Sequence, residues 1–296
     1  MNQITRRQLL LASAGIPALN AMKMAPLQIA RVGAHHLKLG LCAYSYRDYL
    51  TGKSMPKMNL LEFLDHAAKM PLDGVELTEY YFPRPLNDEF VLELKRKCYL
   101  FGLGISGAPM ATTLTYPAGA KRDAEILKIK NWLLTAELLG APTVRIFAGA
   151  PQQGQSQVEA RKNAIEAIEQ ACDIAAKHGI ILVLENHHGI TDNAEQLLEI
   201  VKGVKSEWFG LNLDFGNFYT SDPYSDLIRC APFAITTHFK TEMKPRNGPK
   251  IPTDLKRAIN ILKDCGYRGY VNLEYEATEE PIVAVPRIIS QLHNLI

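Results

Sequence analysis

The chain has no Cys-x-x-Cys pair, and its five cysteines, Cys42, Cys98, Cys172, Cys230 and Cys265, are scattered and odd in number. That excludes a disulfide framework and a thiolate metal site, and leaves them as small core or helix residues. There is no basic block of the kind that tracks a phosphate backbone, and the formal net charge of +2 is close to neutral, so nucleic acid is not an expected partner. No Gly-x-x-x-x-Gly-Lys-Ser/Thr occurs and no Gly-x-Gly-x-x-Gly follows the first apolar segment, which removes the main support for P-loop and dinucleotide sites. No low-complexity linker or short-period repeat divides the 296 residues, so they read as one domain. The apolar stretch near the amino terminus is too short to span a bilayer, and no membrane association is expected of the mature chain.

That amino terminus has its own character. Thr5-Arg6-Arg7-Gln8 precedes an apolar segment running to about Leu19, then small residues. A charged start, a short apolar run and small residues read as an export signal, and the adjacent arginines resemble the twin-arginine type. Residues 1–30 are therefore expected to be signal and linker, and residues 31–296 the folded domain. The expected location is the periplasm; if Arg6-Arg7 is a chance pair on an amphipathic helix, it is the cytoplasm.

From residue 37 on, apolar runs alternate with amphipathic stretches. Strands are expected at 37–43, 74–77, 102–106, 143–147, 180–185, 209–214, 233–238 and 270–274, with helices at Leu60, after Asn87, over 121–139, from Ser156, from Thr191-Asp192, from Thr253-Asp254 and from Pro281. Strand–helix alternation means a parallel sheet with helices outside, and eight such units can close. The expected class is α/β, a single-domain (β/α)8 TIM barrel.

The fifth strand is the most telling. Ile180 to Leu184 run straight into Glu185-Asn186-His187-His188. A continuous apolar run is a strand buried on both faces, and chemistry in parallel α/β folds gathers at the carboxyl ends of strands. A carboxylate there needs a cation. Three later strands also end in ligand-type residues: Asp214, His238 and Glu274. Three carboxylates and an imidazole make a hard, oxygen-rich set that suits one divalent cation (Mn, Mg, Co or Zn). Arg145 and Glu76 lie on earlier strands within reach, and Tyr44, Tyr46 and Tyr81 are candidates for an aromatic wall of the site.

Leu184-Glu185-Asn186-His187, Leu213-Asp214-Phe215-Gly216-Asn217, His238-Phe239-Lys240 and Asn272-Leu273-Glu274 together resemble the xylose isomerase-like TIM barrels over residues 37–293. The resemblance implies that Glu185, Asp214, His238 and Glu274 bind one metal ion. It also implies that Glu185 and Glu274 exchange a proton beside a ketose carbonyl, through an enediolate. His187, Asn217, Lys240 and Arg145 are then candidates for substrate binding, and a small sugar is the expected partner. A homo-oligomer is compatible with the sequence. The expected activity is isomerase or epimerase. The runner-up is a lyase, dehydratase or hydratase on a keto-sugar, keto-glycoside or keto-inositol, which shares the first proton removal. An endonuclease IV-like reading is disfavoured because Asn217 stands where that branch has a histidine. A non-catalytic sugar-binding barrel is disfavoured because three carboxylates without a cation would repel one another.

Overall fold

Alternate side chains of a strand face opposite ways, so a closed sheet sends every second residue to its interior. The computed structural model describes Ile29 and residues 31–296. Its main sheet comprises β1 (His36–Cys42), β2 (Gly74–Glu76), β3 (Gly104–Gly107), β4 (Thr143–Ile146), β5 (Ile181–Glu185), β6 (Phe209–Asp214), β7 (Ala234–Phe239) and β8 (Arg268–Leu273). The helices that follow them are α1 (Leu60–Ala67), α2 (Asp88–Leu100), α3 (Ala120–Leu139), α4 (Gln157–Ala175), α5 (Ala194–Gly203), α6 (Pro223–Cys230), α7 (Leu255–Asp264) and α8 (Pro281–His293). The expected TIM barrel is thus present as one domain. Apart from Ile29, the expected export signal and linker lie outside the described residues. Among the described residues, no helix is long and apolar enough to cross a membrane.

Parallel pairing runs in the order β3-β2-β1-β8-β7-β6-β5-β4, so the first and last strands lie side by side. The ladder lapses between β3 and β4. Backbone bonds just past the end of β3 join that seam: Ala108 N–H to Thr143 O (2.9 Å) and Met110 N–H to Arg145 O (3.0 Å). The Thr143 hydroxyl adds a bond to Ser106 O.

The interior is stacked in layers. Lowest, the Tyr270 ring occupies space that only glycine can leave: a Cβ on Gly104 would stand 2.3 Å from its hydroxyl, and one on Gly74 would stand 2.7 Å from the ring. Gly102, Gly104 and Gly107 do form a Gly-x-Gly-x-x-Gly, but it enters and makes up β3 rather than turning from a strand into a helix. Above Tyr270, Asn272 accepts from Ser106 Oγ and donates to Thr236 Oγ1. Two residues further up each strand, by the same alternation, come Glu76, His238 and Glu274.

The helices are set by their caps. Asn59 with Glu62, and Ser156 with Glu159, form reciprocal capping boxes for α1 and α4, each worth about 1 kcal/mol. α3 stops at Gly140, which takes the left-handed conformation that a glycine adopts without strain.

Three local features differ from expectation. α5 starts at Asn193, whose side chain caps the Gln196 N–H; Thr191 instead accepts from His187 N–H and braces the loop after β5. α6 was not expected; Asp222 caps it and Pro223 opens it, but its eight residues carry too short an apolar pattern to stand out. A small ribbon after β7, Glu242–Met243 against Ile251–Pro252, was not expected either; Glu242 and Met243 line a cleft with Lys240 and Glu276.

Candidate metal centre and active site

Register brings the carboxyl ends together. Asp214 pairs directly with His238, Glu185 with Asn212, and Asn272 with His238. Glu274, one residue beyond β8, keeps the ladder going by donating its N–H to Phe239 O. All four expected ligands are therefore buried on one rim of the mouth. His238 Nδ1 lies 3.1 Å from Glu185 Oε2 and 3.4 Å from Glu274 Oε1. One ligand atom each from Glu185, Asp214 and His238 lie within 4.8 Å of one another.

His238 is held from behind. Its Nε2 meets Glu76 Oε1 at 2.8 Å. A carboxylate behind a ligating imidazole fixes the ring and frees the other nitrogen for a cation. Glu76 is the residue whose weight the sequence understates; its signal is the inward alternation Gly74-x-Glu76 at the end of β2. Cys42 is the third neighbour, and burial raises its thiol well above the ordinary range, so it stays a neutral packing group.

Glu185 is the most heavily bonded carboxylate. Asn212 Nδ2 donates to Oε2 and Asn217 Nδ2 to Oε1, and Arg145 Nε stands 3.0 Å from Oε2. Burial alone would raise this carboxyl, but Arg145, His238 and Lys240 outweigh it and hold it well below the usual range. Arg145, expected as a substrate contact, faces Glu185. It is buried, its other nitrogen donates to Met110 O, and its guanidinium covers the Phe147 ring at 3.9 Å. Its charge is thus held against Glu185.

Lys240 reaches into the cluster as well. Its Nζ lies 3.3 Å from both Asp214 Oδ2 and Glu274 Oε2, 2.7 Å from Glu276 Oε2, and donates to Asn217 Oδ1. Burial opposes its charge, yet these carboxylates hold it protonated. Glu276 points the same way as Glu274, as a spacing of two requires. Of the tyrosines, Tyr44 and Tyr81 are half-buried, and Glu274 helps raise both hydroxyls after burial itself. Tyr46 is instead a core residue, packed edge-on against Phe63 at 5.8 Å.

The donor set fits a divalent cation on three observations. His238 Nδ1 and Asp214 Oδ2 are buried and make no well-aligned hydrogen bond, their neighbours being Glu185 at 3.1 Å and Lys240 at 3.3 Å. Burial, reinforced by Glu185 and Glu274, pushes the Asp214 carboxyl well above the usual range in spite of Lys240, so it holds its proton until further positive charge arrives. Five carboxylates, Glu76, Glu185, Asp214, Glu274 and Glu276, share only Arg145, Lys240 and the His238 ring. Carboxylates crowded in this way cannot all stay ionised without added positive charge.

An eight-stranded parallel barrel with helices outside it, carrying an acidic, one-imidazole cluster at the carboxyl ends of its strands, is a TIM barrel. The xylose isomerase-like TIM barrel model matches residues 64–292, and the chain belongs to that family. A 3-dehydroshikimate dehydratase of Bacillus anthracis is 22% identical over 207 residues, 69% of this chain and 71% of that protein. Two solved structures share the fold. The D-psicose 3-epimerase of Clostridium cellulolyticum H10, solved with D-tagatose, has a TM-score of 0.70 and 14% identity over 87% of this chain and 99% of its own. The IolI protein with a bound zinc atom has a TM-score of 0.70 and 21% identity over 87% and 96%.

Proposed function

We propose that the protein is a metal-dependent enzyme that removes the proton next to the ketone of a sugar and returns it, as an isomerase or epimerase. The observation that carries the reading is the approach of Glu185 and Glu274 to His238 Nδ1, with Asp214 in the same buried group as Glu185 and His238. Those four residues would hold one divalent ion of the Mn, Mg, Co or Zn kind. Bound there, such an ion supplies Lewis-acid stabilisation for the negative oxygen that develops on enolisation.

The residues supply the rest. Glu185 and Glu274 reach the mouth from β5 and from just past β8, on either side of His238. One carboxylate takes the carbon-bound proton and the other, protonated, gives one back, which inverts the carbon when the return comes from the opposite face. Asn217 and Lys240 present hydrogen-bond donors at the same rim, and His187 would orient a hydroxyl. Sequence similarity to a dehydratase favours a second outcome at the same site. After the same proton removal, a hydroxide leaves from the β-carbon, picks up a proton from Lys240 or a carboxylic acid, and departs as water, leaving an enone.

Metal-loaded protein in heavy water with a panel of ketoses and keto-sugars, followed by NMR, tests both. Deuterium wash-in with an epimeric product supports the isomerase, and wash-in with a conjugated enone supports the lyase. No exchange from any member of the panel sinks proton abstraction. We also propose export to the periplasm through Arg6-Arg7. Retention of an Arg6→Lys, Arg7→Lys variant in the cytoplasm would support this, and unaltered location would reject it.

A further inference from the structure

The two flanks of the mouth differ. On the β6–β8 side lies a narrow cleft of about 100 Å³ walled by charged groups, among them Lys240, Glu242, Lys250 and Glu276. On the β3–β5 side lies a roomier one of about 320 Å³. Thr113 and Tyr116 from the loop after β3, Phe147 and Gln152 from the loop after β4, and His187 and His188 from the loop after β5 wall it. No Asp, Glu, Lys or Arg side chain lines this second cleft.

It borders the acid cluster through packed side chains. Phe147 lies under the Arg145 guanidinium that pairs with Glu185, and the His187 ring packs 4.4 Å from the Phe147 ring. It is also preformed. Thr112 Oγ1 donates to Phe147 O and accepts from Phe147 N–H; Thr115 Oγ1 donates to Ala150 O and accepts from Gln152 Nε2. The loops after β4 and β5 touch backbone to backbone: a Cβ on Gly189 would stand 2.5 Å from Gly149 O and 2.7 Å from Ala150 Cα. His187 Nδ1 is buried there without a hydrogen-bond partner.

We propose that this cleft holds a second, uncharged hydroxylated ring, so that the substrate is a glycoside whose oxidised ring reaches Glu185. The substrate class rests on the proton-abstraction reading; the subsite itself does not. Sugar rings offer C–H faces to aromatic walls and hydroxyls to neutral donors and acceptors. A phosphate would call for an arginine or lysine, and this lining has neither.

The test uses the whole protein with Mn²⁺ and reads binding rather than turnover. Sucrose and trehalose, glucose, and glucose 6-phosphate are titrated by calorimetry and saturation-transfer NMR. The wild type is expected to bind a disaccharide at least tenfold more tightly than glucose. Ala150→Trp, at the exposed rim, is expected to cut the disaccharide-to-glucose ratio at least tenfold, and Gln152→Ala to cut it severalfold, with melting temperatures checking that each variant folds. Equal affinity for one ring and two, a preference that survives Ala150→Trp, or tighter binding of glucose 6-phosphate would each overturn the subsite. Failure of deuterium exchange with disaccharide binding intact would overturn proton abstraction alone.

Discussion

His238 Nε2 and Glu76 Oε1 stand 2.8 Å apart across the barrel, although 162 residues separate them in the chain. The bond decides which ring nitrogen faces the acid cluster. Glu76→Gln keeps an acceptor and loses the charge. Divalent-cation affinity is expected to fall about 10–100-fold with an unchanged circular dichroism spectrum, read by chelator competition. Unaltered affinity would reduce Glu76 to a packing role.

The same ring sets a pH dependence. Burial disfavours its charge, but Glu76, Glu274 and Glu185 outweigh that and hold its proton well above the ordinary imidazole range. A raised pKa in the folded state stabilises the metal-free protein fully below the unfolded value of about 6.5, and that contribution fades as pH rises through the folded value. A cation at Nδ1 must expel the proton. Metal affinity is therefore expected to increase with pH, with protons released on binding at pH 7, which calorimetry in buffers of different ionisation heat counts. Proton uptake would contradict this.

Arg145 is expected to act through Glu185. Arg145→Met removes the nearest cation from a buried carboxylate, so the Glu185 pKa rises. The acidic limb of the pH–rate profile should move to higher pH, and kcat should fall about tenfold or more, with Arg145→Lys recovering part of both. A change confined to KM would return Arg145 to substrate binding.

Gly40 faces Asn272 inside the barrel, where a Cβ would stand 2.0 Å from Asn272 Oδ1. Gly40→Ala must push that amide off Ser106 and Thr236, at a cost of about 1–3 kcal/mol in urea unfolding. Gly40→Ala combined with Asn272→Ala is expected to cost less than the sum of the two, because the clash and the amide disappear together.

Much of this was legible beforehand because strand periodicity and strand ends are local signals. β6 was placed residue for residue, and Glu185, Asp214, His238 and Glu274 each stand at the end of an expected strand. The partnerships were not legible, since they depend on which strands face each other across the axis. Nothing near Glu76 in the sequence names His238, and nothing near Lys240 says that it will lie among Asp214, Glu274 and Glu276. α6 and the ribbon after β7 escaped for a different reason: they are too short to carry a periodic pattern.

The interrupted ladder between β3 and β4 lies opposite the β7–β8 pair in the strand order, and β7 carries His238. A fluctuation that parts the wall there leaves Asp214, His238 and Glu274 in their own unbroken ladders. The loose seam and the His238 cluster thus lie on different flanks, with Arg145 the link between the seam and Glu185, and the amides of Ala108 and Met110 should trade hydrogen for deuterium well before that of Glu274.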